Sequence, residues 1–157
     1  MKIELICIEK TKKIEYKNII QDYLKRINRK VDLTIKEISF VNSKKQLKES
    51  ILIKQTNLIK KYINNKDYVV LLDEGGKSFS SIDFSKWINQ KISSRDTKCL
   101  KLIIGGPYGL NKKHFNLFHE KISFSKMTFS HQMIRIFVLE QIYRGLKIIN
   151  NEPYHNE

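Results

Sequence analysis

"LIIGGPYGLNKK", residues 102–113, puts three glycines and a proline directly after an apolar, β-branched run. The run extends back through "KCLKLII" (98–104) and has the character of a strand. Glycines at a strand end mark either a tight turn or a close approach of the backbone to a ligand. The turn alone accounts for them equally well, because proline suits its second position and glycine supplies positive φ. A second apolar run, "DYVVLL" (67–72), is broken by "DEGG", so two strand ends each carry a glycine pair. In a parallel sheet ligands bind outside the carboxyl ends of the strands. Both glycine pairs therefore sit where a site belongs, and the chemistry stays open at this point.

Outward from this stretch, strands and helices alternate. "KIELICI" (2–8) and "VDLTIKEISF" (31–40) read as strands, and Ile14, Ile19, Ile20, Tyr23, Leu24 and Ile27 fall at helical spacing between them. Residues 44–63 read as a basic helix with a stripe of Leu47, Ile51, Leu58, Tyr62 and Ile63. "SSIDFSKWINQKI" (80–92) reads as a helix opened by a serine cap, and Asn111 as the cap of a short helix to about Glu120. "KISFS" (121–125) reads as a last strand and "HQMIRIFVLEQIYRGLKIIN" (131–150) as the strongest helix. The alternation implies an α/β fold with a mainly parallel sheet, in one domain over residues 1–157.

The chain has 30 Lys/Arg against 16 Asp/Glu, net +14. Residues 1–66 hold 17 against 7, net +10, and the remainder 13 against 9, net +4. Such a balance points to a polyanionic partner, nucleic acid above all. Part of it reflects a Lys-, Asn- and Ile-rich composition without alanine, of the kind AT-rich codons encode. No stretch approaches the roughly 18 apolar residues of a membrane span, and "MKIELICIEK" lacks the apolar length and cleavage site of a signal peptide. Cys7 and Cys99 lack metal or redox spacing and read as small buried hydrophobes in a reducing cytoplasm.

The common motifs fail on spacing. "GGKS" (75–78) lacks the glycine a phosphate loop needs five residues before Gly76, where Leu71 stands. Gly105, Gly106 and Gly109 do not have the spacing of a dinucleotide fingerprint. His114 and His119 offer no metal spacing, and no serine sits in a nucleophile elbow. The last helix is nearly apolar all round from Met133 through Leu139, which implies burial on more than one side, either against a partner subunit or inside a monomeric core, and in a domain this small the partner is the favoured reading. His131 and Arg135 share one face of it and line either the pocket or the dimer seam.

Three segments together, "VVLLDEGGKSFSS", "LIIGGPYGL" and "FSKMTFSHQMIRIFVLEQIYRGLKIINNEPYH", resemble the SPOUT-class methyltransferases that modify N3 of a pseudouridine in large-subunit ribosomal RNA. The similarity runs the whole length. It implies helices on both faces of the sheet, a C-terminal trefoil knot, a homodimer, and an S-adenosyl-L-methionine pocket built from the knot loops, with no metal. Leu72, Gly105 and Gly109 match cofactor-contacting positions, and Phe124, Ser125, Lys126, Met127, Thr128 and Phe129 match the loop that wraps the cofactor. The glycines would then let the backbone pack against a nucleoside.

The resemblance also assigns the chemistry. The cofactor carries the reactive methyl, so the protein must place the target nitrogen and manage its proton. Tyr154 and His155, after Pro153, match the closing motif; His155 suits proton transfer and Tyr154 suits stacking on the base, with no choice between them as the base. Arg144 has two readings, an i,i+4 pair with Glu140 and a role in RNA binding or catalysis. The implied partner is ribosomal RNA in the large subunit or whole 70S ribosome. The competing reading is a basic RNA- or ribosome-binding module of the same fold without activity.

Overall fold

The computed structural model describes residues 2–40, 47–111 and 116–154. Five strands form one all-parallel sheet in the order β2-β1-β4-β3-β5: β1 (Lys2–Ile8), β2 (Leu33–Ile38), β3 (Asp67–Ser78), β4 (Cys99–Ile104) and β5 (Glu120–Ser123). The helices are α1 (Ile14–Ile27), α2 (Lys48–Lys60), α3 (Ser81–Ser93) and α4 (Met133–Ile149). A sheet covered on both faces needs apolar residues on both, and β1, β3 and β4 supply them in alternation. Ile3, Leu5, Cys7, Val70, Leu100 and Leu102 face α1, α3 and α4. Ile6, Ile8, Val69, Leu71 and Ile103 face α2 and the segment carrying Leu110 and Phe118. Ser80 caps α3 by accepting from Asp83 N at 3.0 Å.

The structure corrects three expectations. The first is that "DEGG" ends the strand at Leu72. β3 runs on to Ser78 with an irregularity between Leu72 and Lys77, after which Lys77 and Ser78 pair with Ile122 and Ser123. Gly76 allows this, because a Cβ there would lie 2.6 Å from backbone atoms of Ile122. The second is the short helix from Asn111 to about Glu120. Residues 112–115, His114 among them, lie outside the described residues; what the structure corrects is the helix's reach, since Glu120 already belongs to β5 and His119 N donates to Val69 O at 2.8 Å. Pairing with the open edge of β3 satisfies the backbone groups a helix would have used. The third is the stripe of α2: Leu47 is 80% exposed, while Ile51, Gln55, Thr56 and Ile59 are buried.

Both cysteines are free and buried. Burial pushes the Cys7 thiol up to about 12, only partly countered by the Arg135 charge, so it stays an unreactive thiol. Among the described residues no helix is long and apolar enough to cross a membrane, and no group of three His, Cys, Asp or Glu side chains is arranged to hold a metal.

Candidate functional site

At the carboxyl ends of β3 and β4 the chain encloses a cavity of about 570 Å³, within the usual range for small-molecule sites of roughly 300–1,000 Å³. Its walls come from three segments, the irregular part of β3 from Leu72 to Gly75, the turn from Ile104 to Leu110, and the chain from Ile122 of β5 as far as Ile134, with Lys48 of α2 at the rim. Of the sequence-designated residues, Leu72, Gly105, Gly109, Phe124, Ser125, Met127, Thr128 and Phe129 line it; Lys126 does not.

Each wall is held by its own bonds. The glycine turn closes through Gly109 N donating to Gly106 O at 2.9 Å, with Gly109 at φ 72°. At Gly105 the chain is tight, because a Cβ there would meet the backbone of Gly109 at 3.0 Å; Gly106 packs instead against the side-chain amide of Gln55 of α2. The close approach is thus first between parts of the protein, and it exposes turn backbone to the cavity. In the loop after β5, Ser123 Oγ donates to Ser125 O (2.8 Å), Met127 N to Ser125 Oγ (2.9 Å) and Thr128 Oγ1 to Glu74 Oε2 (3.0 Å). Ser130 then starts α4, accepting from Met133 N at its hydroxyl and from Ile134 N at its carbonyl.

Asp73 and Glu74 face the cavity with Lys48 as the counter-charge. Two carboxylates disfavour a phosphate, and "GGKS" lies on the extended part of β3 instead of at a helix N-terminus, so both phosphate readings fall away. The chemistry on offer is an apolar slot of Leu72, Ile104, Leu110, Ile122 and Phe124 rimmed by backbone amides and carbonyls, fit for an uncharged heterocycle carrying a cationic arm.

Tyr154 and Arg144 stand elsewhere. Arg144 bonds Glu140 Oε1 through Nε (2.9 Å) and Nη2 (2.7 Å), the expected i,i+4 pair, and its Nη1 reaches Tyr154 O at 3.4 Å. The Tyr154 ring lies 4.8 Å from the Arg144 guanidinium and edge-on to Tyr143 at 4.8 Å. These contacts order a tail that would otherwise fray. Arg144 sits ten residues along α4 from Ile134, about 15 Å at the helical rise, and neither it nor Tyr154 lines the cavity. His155 lies outside the described residues. Gln55, Asp73, Glu74, His131 and Arg135 take part in the site or its support without having been assigned a role; only the four-residue spacing of His131 and Arg135 pointed to any of them.

Known proteins resemble the whole chain. Residues 1–155 match the family model described as "Predicted SPOUT methyltransferase". The protein named ribosomal RNA large subunit methyltransferase H in Bacteroides fragilis is 43% identical over 158 residues, covering 100% of both chains. The one of that name in Christiangramia forsetii is 43% identical over 157 residues, covering 99% of each. Among solved structures, the tRNA (m1G37) methyltransferase of Aquifex aeolicus aligns with TM-score 0.54 at 16% identity, covering 100% of this chain and 76% of that one. A probable methylase family protein of Haemophilus influenzae aligns with TM-score 0.53 at 11% identity, over 99% and 70%. These two likenesses speak for the fold alone. With a parallel sheet, a cavity at the expected strand ends and full-length similarity at this level, the chain belongs to the SPOUT methyltransferases, in the ribosomal RNA large subunit methyltransferase H family, and with that membership goes S-adenosylmethionine as methyl donor.

Proposed function

We propose that this protein methylates N3 of a pseudouridine in large-subunit ribosomal RNA, as a cytoplasmic homodimer acting on assembled ribosomes. The observation that carries the reading is the cavity at the ends of β3 and β4, lined by the residues that the resemblance assigns to the cofactor. The residues fit that group: the volume suffices, the rim offers backbone polar groups, and Asp73 and Glu74 suit a cation. When bound, S-adenosylmethionine supplies a methyl group on a sulfonium.

The rest falls to the chain. Leu72, Ile104 and Phe124 exclude water and hold the nucleoside. The turn from Gly105 to Gly109 presents backbone groups to its polar edge, and the segment 124–129 closes over it. The target nitrogen is protonated at neutral pH, so a group at the base must accept that proton; Tyr154 and His155 are the proposed pair, with Arg144 orienting Tyr154.

The separation of the two groups supports the homodimer. Phe137 on α4 is 39% exposed, and Ile14 and Ile19 on α1 are 61% and 40% exposed, an unusual apolar face for a solvated surface. A two-fold axis through the middle of α4 would set two such helices antiparallel, with the Arg144–Tyr154 end of one copy against the Ile134 end of the other. Each site would then take its cofactor wall from one chain and its base-handling tail from the other.

The test is methyl transfer to 70S ribosomes from a strain lacking this protein, followed by mass spectrometry of the ribosomal RNA. One added methyl on a pseudouridine is the expected result. Cofactor binding without methylation of any ribosomal RNA would refute it in favour of a binding module.

A further inference from the structure

At the head of α4 lies a polar cluster that the methyltransferase reading has not used. Arg135 is fully buried, and all five of its N–H donors are engaged. Nε donates to His131 O (3.0 Å), Nη1 to Thr11 Oγ1 (2.7 Å) and Glu37 Oε1 (3.0 Å), and Nη2 to Ile8 O (2.8 Å) and Glu9 O (3.0 Å). One guanidinium thus ties the end of β1, the strand β2 and the first turn of α4 together. Glu9 adopts φ 68°, a left-handed conformation that costs a residue with a side chain some free energy. Its Oε2 lies 3.2 Å from His131 Nε2, which ties the imidazole to this segment. His131 itself lines the cofactor cavity, directly after the loop that closes it.

We propose that His131 is a positioning residue of the cofactor site, a neutral imidazole wall, held by Glu9 and Arg135, that accepts the cationic methyl donor and repels it when charged. The proposal rests on the cofactor assignment above. Glu9 and Lys12 face His131 from the segment between β1 and α1, Arg135 from α4, and Glu37 of β2 acts through Arg135. Lys48, Asp73 and Glu74 complete the charges around the cavity. Burial dominates and lowers the imidazole below its ordinary value; Glu9 opposes this, and Arg135 and Lys12 add to it. His131 is therefore neutral at pH 7 and above. S-adenosylmethionine carries a sulfonium, an ammonium and a carboxylate, net one positive charge, whereas the demethylated product S-adenosylhomocysteine has a neutral sulfide. An imidazolium in the wall disfavours the first more than the second.

Calorimetric Kd values for both compounds on the full chain, from about pH 5 to 8, test this. Below the imidazole's own titration, S-adenosylmethionine binding should weaken by up to about tenfold per pH unit, and S-adenosylhomocysteine binding by much less. In His131→Asn, which cannot charge, the ratio of the two Kd values should stop depending on pH. In Glu9→Gln the weakening should move to lower pH, because a group favouring the imidazolium is gone. Imidazole proton resonances of the ligand-free chain give a second readout: the one missing in His131→Asn should titrate below about 6.5. A Kd ratio independent of pH in the wild type, or the same pH dependence in His131→Asn, overturns the proposal. Should that variant fail to fold, an unchanged pH dependence in Glu9→Gln overturns it instead. Binding of neither compound at any pH would refute the cofactor assignment as well, which separates the two failures.

Discussion

Replacing Gly76 by alanine should damage the methyltransferase more than any other single methyl group added to the "DEGG" segment. The new Cβ would lie 2.6 Å from Ile122 N and C and 2.7 Å from Lys121 C, all backbone atoms of β5. Ordinary contact begins near 3.4 Å, so the strands must separate by about 0.8 Å. Because β5 is an edge strand it can move, but Ile122 is buried at 1% exposure and, with Ser123, forms part of the cavity wall. Overpacking of this kind costs about 1–3 kcal/mol, a loss of roughly 2–12 °C in Tm for a domain of this size. Displacing the start of the cofactor loop by nearly 1 Å should lower methyl transfer on the order of 10²-fold. Gly75→Ala is the control: its Cβ would meet only the Asp73 carboxylate, at 3.2 Å, and a side chain can rotate away. That variant should stay within about 0.5 kcal/mol of wild type. Thermal melts, cofactor calorimetry and single-turnover methylation of the two variants make the comparison. If Gly76→Ala is as stable and as active as Gly75→Ala, the close crossing of β3 and β5 is not what demands glycine.

Four further outcomes are expected. Arg135→Leu takes the guanidinium donor from the carbonyls of Ile8 and Glu9 and leaves the Glu37 carboxylate without its counter-charge, and should destabilise the fold by about 3–5 kcal/mol in urea unfolding; a loss below 1 kcal/mol would contradict the network described. Burial pushes the Glu120 carboxyl up, but hydrogen bonds from Lys91, Tyr68 and Trp87 outweigh it and hold the group below the usual range. The unfolded chain then binds this proton more tightly, so the stability from Glu120 is full above about pH 4.3 and lost as pH falls through the lower folded value; fluorescence of the single tryptophan should show a shallower acid dependence in Glu120→Gln. Phe137→Glu puts a charge on the exposed apolar face of α4 without touching the core, and light scattering should show monomers where the wild type gives dimers; a wild-type monomer at micromolar concentration would end the dimer proposal. Truncation before Tyr154 should leave cofactor affinity within about twofold and cut methyl transfer by orders of magnitude, and undiminished turnover would remove the tail from the site.

How far the fold could be read depended on how local the signal was. The spans of α1, α3 and α4 and the parallel character of the sheet came from apolar periodicity within each segment, and the structure keeps them within a few residues. Periodicity misjudged α2, where Gln55 and Thr56 are buried and Leu47 is exposed, because the Gln55 amide packs against Gly106 from a segment 51 residues away, which periodicity within α2 does not show. It also misjudged β3: a glycine pair after an apolar run reads as a stop unless Ile122 is known to cross it.

The candidate site divides along the same line. The sequence alone determined the order of strands and helices, the loop residues that line the cavity, and through the family motifs the class of chemistry, since each is a property of short segments. It could not place those segments against one another. That β3 pairs with β5 past the glycines, that Arg135 joins β1, β2 and α4, that His131 enters the cavity wall, and that neither Arg144 nor Tyr154 lines the cavity were decided by tertiary structure. The reason is physical: the pairing of β3 with β5 past the glycines and the bonds of Arg135 to β1 join residues 45 to 127 positions apart in the chain, and which of many such pairings forms depends on burying both faces of the sheet at once.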